Sequence, residues 1–412
     1  MGQGLKVTFL TGEYPPMQGG IADHTAYLAH HLASCGVEPA VLISRRWQET
    51  LAVNPPTVST SPPPTIHLSI SNWGWRCWPE VVNFLKTHRP AVLHIQYQAA
   101  AFDLGGWVNW LPWYLKKRGL STRVVTTFHD LRVPYLFPKA GSLRWRSMLA
   151  LARYSDGVVY TNREDLQILQ RALKVGQAGN LIYDSAPRLV HIPLGSNVEP
   201  QPPADFNRVA WRKKYQADDD TFLLAYFGFL NESKGGEELV EALGWLRQQG
   251  VDARLLLIGG EVGHADPTNV AYAQRVQALI ERHTLAEVVY RTGYISLPEV
   301  SANLLAADAV VMPYRDGVSF RRTTLIAALR HGCPVVSTMP ADPSTIPEIQ
   351  PGENMLLARP HDASSLAQTI RLLAEDRTLR EKLASGARQL GDLFEWDKIA
   401  EAQARLYQSL VR

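Results

Sequence analysis

Along almost the whole chain, short apolar runs alternate with stretches whose apolar residues recur every three or four positions. In the first half the runs are Leu5–Leu10, Ala40–Ser44, Val92–Ile95, Val124–Phe128, Gly157–Tyr160 and Val190–Ile192, all of strand length. Helical spacing fills the intervals at Ala22–Ala33, Pro79–His88, Leu143–Tyr154 and Arg163–Leu173. The second half repeats the alternation. Strands are predicted at Phe222–Phe227, Arg254–Ile258, Val288–Tyr290, Ala309–Pro313 and Pro334–Ser337. Helices are predicted at Glu237–Gln248, Ala271–Arg282, Leu297–Ala306, Thr323–His331, Ser364–Glu375 and Trp396–Val411. Strands that are apolar without a polar face belong in parallel sheets covered on both sides. The expected architecture is α/β, with two doubly wound, Rossmann-like domains.

The 412 residues are too many for one ordinary core, which agrees with two domains. Asn54–Pro64 is a loop by composition, and Glu-Pro-Gln-Pro-Pro-Ala at 199–204 reads as the interdomain connection. The expected division is residues 1–198, residues 205–390, and a C-terminal helix at 391–412 packing back toward the first domain. No apolar run approaches the roughly 18–20 residues of a membrane span. Leu5–Leu10 is a strand rather than the core of a signal peptide. Cys35, Cys77 and Cys333 are scattered and lack metal-ligand spacing, which predicts a reducing, cytoplasmic setting and no Cys/His metal site.

The net charge of +3 hides an asymmetry. Residues 1–190 hold 19 Lys and Arg against 11 Asp and Glu, whereas the remainder holds 23 against 28. Eight of the eleven Trp lie in the first 150 residues. Trp73, Trp75 and Trp78 form one group, and Trp107, Trp110 and Trp113 recur ahead of Lys116-Lys117-Arg118. Three readings stand: Trp filling a core while Lys and Arg solvate a face, peripheral contact with the inner face of an anionic membrane, or contact with a phosphorylated acceptor. Dispersed cations and an acidic second half speak against a nucleic-acid partner.

Four loops carry candidate chemistry. After the first strand comes Thr11-Gly-Glu-Tyr-Pro-Pro-Met-Gln-Gly19-Gly20, then a helix holding Asp23 and His24. A strand, a glycine loop and a helix start make a place for an anion, because backbone N–H groups and the positive helix end converge. Gly228-Phe229-Leu-Asn-Glu-Ser-Lys234-Gly-Gly repeats the arrangement with a cation suited to a diphosphate. Tyr314-Arg-Asp316-Gly-Val-Ser319-Phe-Arg321-Arg322-Thr323-Thr324 leads into a third helix start, again rich in short polar residues and Arg. Finally, His129-Asp130 follows the strand Val124–Phe128, at the end where α/β sheets meet their ligands. Asp218-Asp219-Asp220 precedes a strand in a polar turn and is discounted as a metal site.

The order Gly19-Gly20, His129-Asp130, Ile-Pro-Leu-Gly195, Gly228…Ser-Lys234-Gly and Ala-Leu-Arg-His-Gly332-Cys-Pro-Val-Val resembles the family-4 retaining glycosyltransferases of the GT-B fold over about residues 5–405. The resemblance implies two Rossmann-like domains facing across a cleft that closes about the linker. It also implies a nucleoside diphosphate sugar as co-substrate, no separate cofactor and no metal. The acceptor would be a glycan, a glycolipid or a small molecule. The expected catalytic residues are His129, Lys234, Arg321 and Arg322. Donor contacts are expected from Gly19, Gly20, Gly228, Lys234, Asp316, Ser319, Arg321, Arg322 and Thr323, and acceptor contacts from Asp23, His24 and Gln96. Two departures matter. Phe229 stands where the family has Arg, and Ser319 and Ala327 stand at the family's paired Glu positions. One reading is that Arg321 or Arg322 replaces the missing Arg, while Ser319 or Asp316 takes part of the sugar contact. The alternative is a non-catalytic relative or sugar-binding protein. A nucleotide-sugar epimerase would need carboxylates near the sugar, which these loops do not place.

Overall fold

The computed structural model describes residues 4–17, 19–53, 63–129, 131, 141–173, 187–260 and 267–412. Asp130 and most of the Pro-rich loop 54–64 lie outside the described residues. The chain forms two compact units, Met1–Asn197 with Trp396–Arg412, and Val198–Glu395. Residues 391–395 thus belong with the second unit. A helix that the sequence reading missed, Arg377–Gly391, carries the chain across position 390 before the terminal helix Trp396–Val411 begins.

The first unit is built on a seven-stranded parallel sheet. Its strands are β1 (Leu5–Leu10), β2 (Val37–Ser44), β3 (Thr65–Ile70), β4 (Val92–Tyr97), β5 (Arg123–Phe128), β6 (Gly157–Tyr160) and β7 (Arg188–His191). They lie in the order β3-β2-β1-β4-β5-β6-β7. β3 escaped the apolar-run criterion because it is an edge strand, only partly buried, with His67 and Ser69 interrupting the run. β4 is buried at all six positions although it contains His94 and Gln96. Gln96 pairs with Thr127 of β5, so His94, Gln96, Thr127 and His129 share one face of the sheet. The terminal helix packs on that face with Val7, Phe9, Val92 and Val125. Trp396 stacks on Tyr27 at 5.3 Å and donates its indole N–H to the Ser196 carbonyl at 2.6 Å.

The second unit holds six parallel strands: β8 (Phe222–Phe227), β9 (Ala253–Ile258), β10 (Val289–Arg291), β11 (Ala309–Met312), β12 (Val335–Thr338) and β13 (Leu356–Ala358). Their order is β10-β9-β8-β11-β12-β13. In each sheet the direction of winding reverses beside the first strand, at β1/β4 and at β8/β11. The carboxyl ends of strands at such a reversal form the crevice where doubly wound sheets take ligands. Among the described residues no helix is long and apolar enough to cross a membrane.

Candidate active site

The chain leaves β8 through Gly228, whose φ of 123° lies in the region that side chains rarely adopt. A Cβ there would stand 3.2 Å from the Lys234 Nζ and 3.3 Å from the Thr324 Cγ2. Residues from two separate motifs therefore meet at one point. Lys234 closes a single 3₁₀ turn, Glu232–Lys234. Gly235, at φ 68°, then swings the chain into the helix Gly236–Gln248. A side chain on Gly235 would collide with the Pro313 carbonyl, so the turn can lie flat on the end of β11 only with glycine here.

From the β11 side, residues 313–322 lead to the helix Thr323–Arg330, whose positive end opens beside Gly228. Arg322 precedes it in an extended conformation. Its Nη2 reaches both Asp316 oxygens, at 2.8 and 2.9 Å, and its guanidinium lies 4.8 Å over the Tyr314 ring. The Tyr314 hydroxyl is 3.4 Å from the Thr324 Oγ1. Burial first, and the nearby Arg322 charge second, pull the Lys234 ammonium down to about 8. Among the described residues no carboxylate pairs with Lys234. A buried cation with a second cation beside it is a place that an anion completes.

Arg315 was missed in the sequence because its partners are distant. Its Nε and Nη2 donate to Glu238 and Glu237 at 2.7 Å each, and its Nη1 to Glu232 at 3.2 Å. Its amide also donates to the Ser233 carbonyl at 2.9 Å. It clamps the β11 loop to the turn that carries Lys234.

The remaining residues of the donor motifs occupy varied places. Ser319 is a turn residue: its carbonyl accepts from the Arg322 amide at 3.2 Å and its Oγ from the Arg321 amide at 3.4 Å. Thr323 opens the helix, and Arg321 is half-buried just ahead of it. Ala327 is fully buried, and its carbonyl bonds the His331 Nδ1 at 2.7 Å. Phe229 is 52% exposed beside Gly228, so the position of the family's Arg carries a hydrophobic ring open to solvent. Asp218 sits before β8, at the opposite end of that strand from Gly228. It caps its own turn by accepting from the Asp220 and Thr221 amides, both at 3.1 Å.

In the first unit, Gly19 leads into the helix Gly20–Ser34, and a Cβ on Gly20 would meet nothing within 4 Å. Steric crowding within the protein therefore does not explain Gly20. Asp23 accepts from the Asn197 amide at 3.4 Å, and burial raises its carboxyl above the usual range. His24 is buried, with its ring edge-on to His129 at 4.8 Å. Gln96, expected at the acceptor, is instead fully buried beneath His129, and its Oε1 accepts from the His129 Nε2 at 2.7 Å. That bond places the proton of neutral His129 on Nε2 and leaves Nδ1 as an acceptor. Gln96 also contacts His94, which is held between the Tyr407 hydroxyl at 2.6 Å and the Thr127 Oγ1 at 2.7 Å. Burial lowers His129 to about 4 and His94 to about 3, so both rings are neutral near pH 7.

These values set a pH dependence. Below about 8 Lys234 carries its charge, and above it the charge is lost. Affinity for a diphosphate is expected to be greatest below pH 8 and to fall as pH rises through it. Any weakening between pH 7 and pH 5 is expected from protonation of the ligand's own terminal phosphate, which titrates at about 6, because His129 titrates lower. Calorimetric titration with nucleoside diphosphates across pH 5–10 checks this. A Lys234→Arg variant should move the alkaline limb upward.

Comparison with known proteins gives the same division. Residues 18–178 match the family "Glycosyltransferase Family 4" and residues 207–390 match "Glycosyl transferases group 1". The D-inositol 3-phosphate glycosyltransferase of Streptomyces bingchenggensis is 26% identical over 56% of this chain and 50% of its own length. That of Xylanimonas cellulosilytica is 28% identical over 61% and 57%. The chain spans about half the length of the curated relatives it matches. Among solved structures, sucrose-phosphate synthase from Thermosynechococcus elongatus superposes with a TM-score of 0.72 at 21% identity, over 98% of both chains. Anabaena HepE in complex with UDP gives 0.71 at 18% identity, over 98% of this chain and 100% of that one.

Two Rossmann-like units that superpose on these solved structures over nearly the whole chain define the GT-B fold. The chain belongs to the family-4, group 1 glycosyltransferases.

Proposed function

We propose that the protein moves a hexosyl unit from a nucleoside diphosphate sugar to an acceptor hydroxyl, with retention at the anomeric carbon and without a divalent metal. The observation that carries this reading is Lys234: buried, lowered to about 8, without a carboxylate partner among the described residues, and beside Arg322 at a helix start. Two cations and a helix end can stabilise the charge that gathers on a departing diphosphate, the work a metal ion does elsewhere. Among the described residues, no three His, Cys, Asp or Glu side chains are grouped as metal ligands. The Anabaena HepE structures in complex with UDP and with UDP-glucose support the donor class.

In this reading Gly228 lets the backbone approach the diphosphate, while Lys234, Arg322 and the Thr323 amide bind it. Ser319 and Asp316 lie next to the sugar. On the first unit, Gly19 and Gly20 approach a phosphate, His129 accepts from a sugar hydroxyl through Nδ1, and Asp23 and His24 serve the acceptor. The bond from the anomeric carbon to the phosphate oxygen breaks as the acceptor oxygen bonds on the same face. The departing phosphate oxygen takes the acceptor proton. The protein supplies position and charge stabilisation. Three free cysteines fit a reducing, cytoplasmic setting.

The test is a transfer assay, with the anomeric configuration of the product read by NMR, run with and without a chelator. Retention and unchanged turnover in chelator are expected. Inversion, or loss of activity restored by Mg²⁺ or Mn²⁺, contradicts the reading.

A further inference from the structure

We propose that the Trp-rich face of the first unit docks on an anionic lipid surface. The tryptophans crowded into the sequence divide between two roles. Trp73 is buried in the core, edge-on to Phe102 at 4.7 Å. Trp75, Trp107 and Trp110 are instead 58%, 45% and 39% exposed. They come from the turn before the helix Cys77–His88 and from the 3₁₀ turn before the helix Leu111–Lys117. Half-buried rings join Trp107 and Trp110. Trp78 stands edge-on to Trp107 at 5.6 Å and stacks on Tyr114 at 4.8 Å. Trp113 meets Trp110 at 6.4 Å. The Trp78 indole donates to the Trp107 carbonyl at 2.8 Å, fixing the two segments together. Isolated exposed aromatics are ordinary, but a connected sheet of indoles held in water by its own packing marks a contact surface.

The charge of the chain segment that carries this face selects the partner. From Trp73 to Tyr154 the sequence holds 12 Lys and Arg against 3 Asp and Glu. Arg76 lies over Trp75 at 5.6 Å, and Arg118 lies over Tyr114 at 5.0 Å. Lys117, Arg146 and Arg153 are exposed. Lys117 ends the helix that follows Trp110, and the other two lie on the helix Gly141–Tyr154. That helix meets the Trp turn through Ser147 to Asn109 at 3.0 Å and Tyr154 to Trp110 at 6.4 Å. Nearby carboxylates are already engaged: Asp103 pairs with Arg46 at 2.6 Å, and Glu80 accepts the Ser71 amide at 3.0 Å. Indoles settle at the boundary between acyl chains and headgroups, and cations beside them meet anionic headgroups at the same depth. A single-stranded nucleic acid fits less well. Stacking needs open ring faces, and Trp78, Trp107, Trp110 and Trp113 meet edge to face and cover one another. The proposal stands independently of which sugar is transferred.

Co-sedimentation of the whole protein with vesicles tests it, comparing pure phosphatidylcholine with phosphatidylcholine containing about one third phosphatidylglycerol. The protein is expected to pellet with the anionic vesicles at low salt, to be released at high salt, and to ignore the neutral ones. The triple variant Trp75→Ser, Trp107→Ser, Trp110→Ser should bind roughly tenfold more weakly or worse. The variant Lys117→Glu, Arg146→Glu, Arg153→Glu keeps the indoles and should lose binding as well, so the test survives if the Trp variant fails to fold. Wild type that stays in the supernatant overturns the proposal. So does a folded Trp variant that pellets like wild type. A third overturning result is a wild-type protein that ignores vesicles but self-associates or binds single-stranded DNA through these same residues.

Discussion

Replacing Lys234 by alanine is expected to lower glycosyl transfer by about two to four orders of magnitude and to leave the fold intact. Stability should be kept because the ammonium is a cost to the free protein. Burial and the neighbouring Arg322 both disfavour its charge, and no carboxylate among the described residues offsets them. What the lysine gives in return is realised only when an anion arrives. The loss should therefore appear in turnover and in diphosphate affinity, with a thermal midpoint equal to wild type or higher. Near-normal turnover in a folded Lys234→Ala protein would remove Lys234 from the diphosphate site.

The second large effect is expected at Arg322 and not at its neighbour. The sequence puts two arginines side by side and leaves open which one substitutes for the Arg missing at Phe229. The structure separates them: Arg322 lies over Tyr314, holds Asp316 through both oxygens, and is close enough to depress Lys234. Lysine can supply the charge but neither the planar stack nor the fork of donors. Arg322→Lys should lose about ten- to a hundredfold in turnover, while Arg321→Lys should stay near wild type. Steady-state kinetics of the two variants decide it. If Arg321→Lys is the impaired one, or neither is, the role given to Arg322 is wrong.

The sequence was most legible where burial is complete. β1, β5, β8, β9 and β11 are apolar runs because parallel strands are covered on both faces, and they stand where the pattern puts them. It was least legible at edges and on the surface. β3 is interrupted by polar residues because one side of it meets solvent. The helix Arg377–Gly391 is so rich in charge that its stripe of Leu383, Ala387 and Leu390 and its Asp376 cap passed unnoticed.

The site followed a similar rule. Gly228, Lys234 and the Arg322 loop were readable because each is a strand end followed by a helix start. The groups that hold them were not. Arg315 reaches Glu237 and Glu238 across nearly eighty positions, and Tyr407 reaches His94 across more than three hundred. One sign of the second network was present in the sequence. His94 and Gln96 are two polar side chains on one face of an otherwise apolar strand, and buried polar groups of that kind must bond to something. Gln96 bonds His129 and so positions that ring, while His94 bonds Tyr407 and Thr127.

The most direct test of the central claim is to incubate the purified protein with a panel of nucleoside diphosphate sugars and measure release of the nucleoside diphosphate. Wild type is expected to hydrolyse at least one donor slowly without acceptor and to bind the corresponding diphosphate, with both properties lost in Lys234→Ala. A folded wild-type protein that neither consumes nor binds any member of the panel would contradict the account.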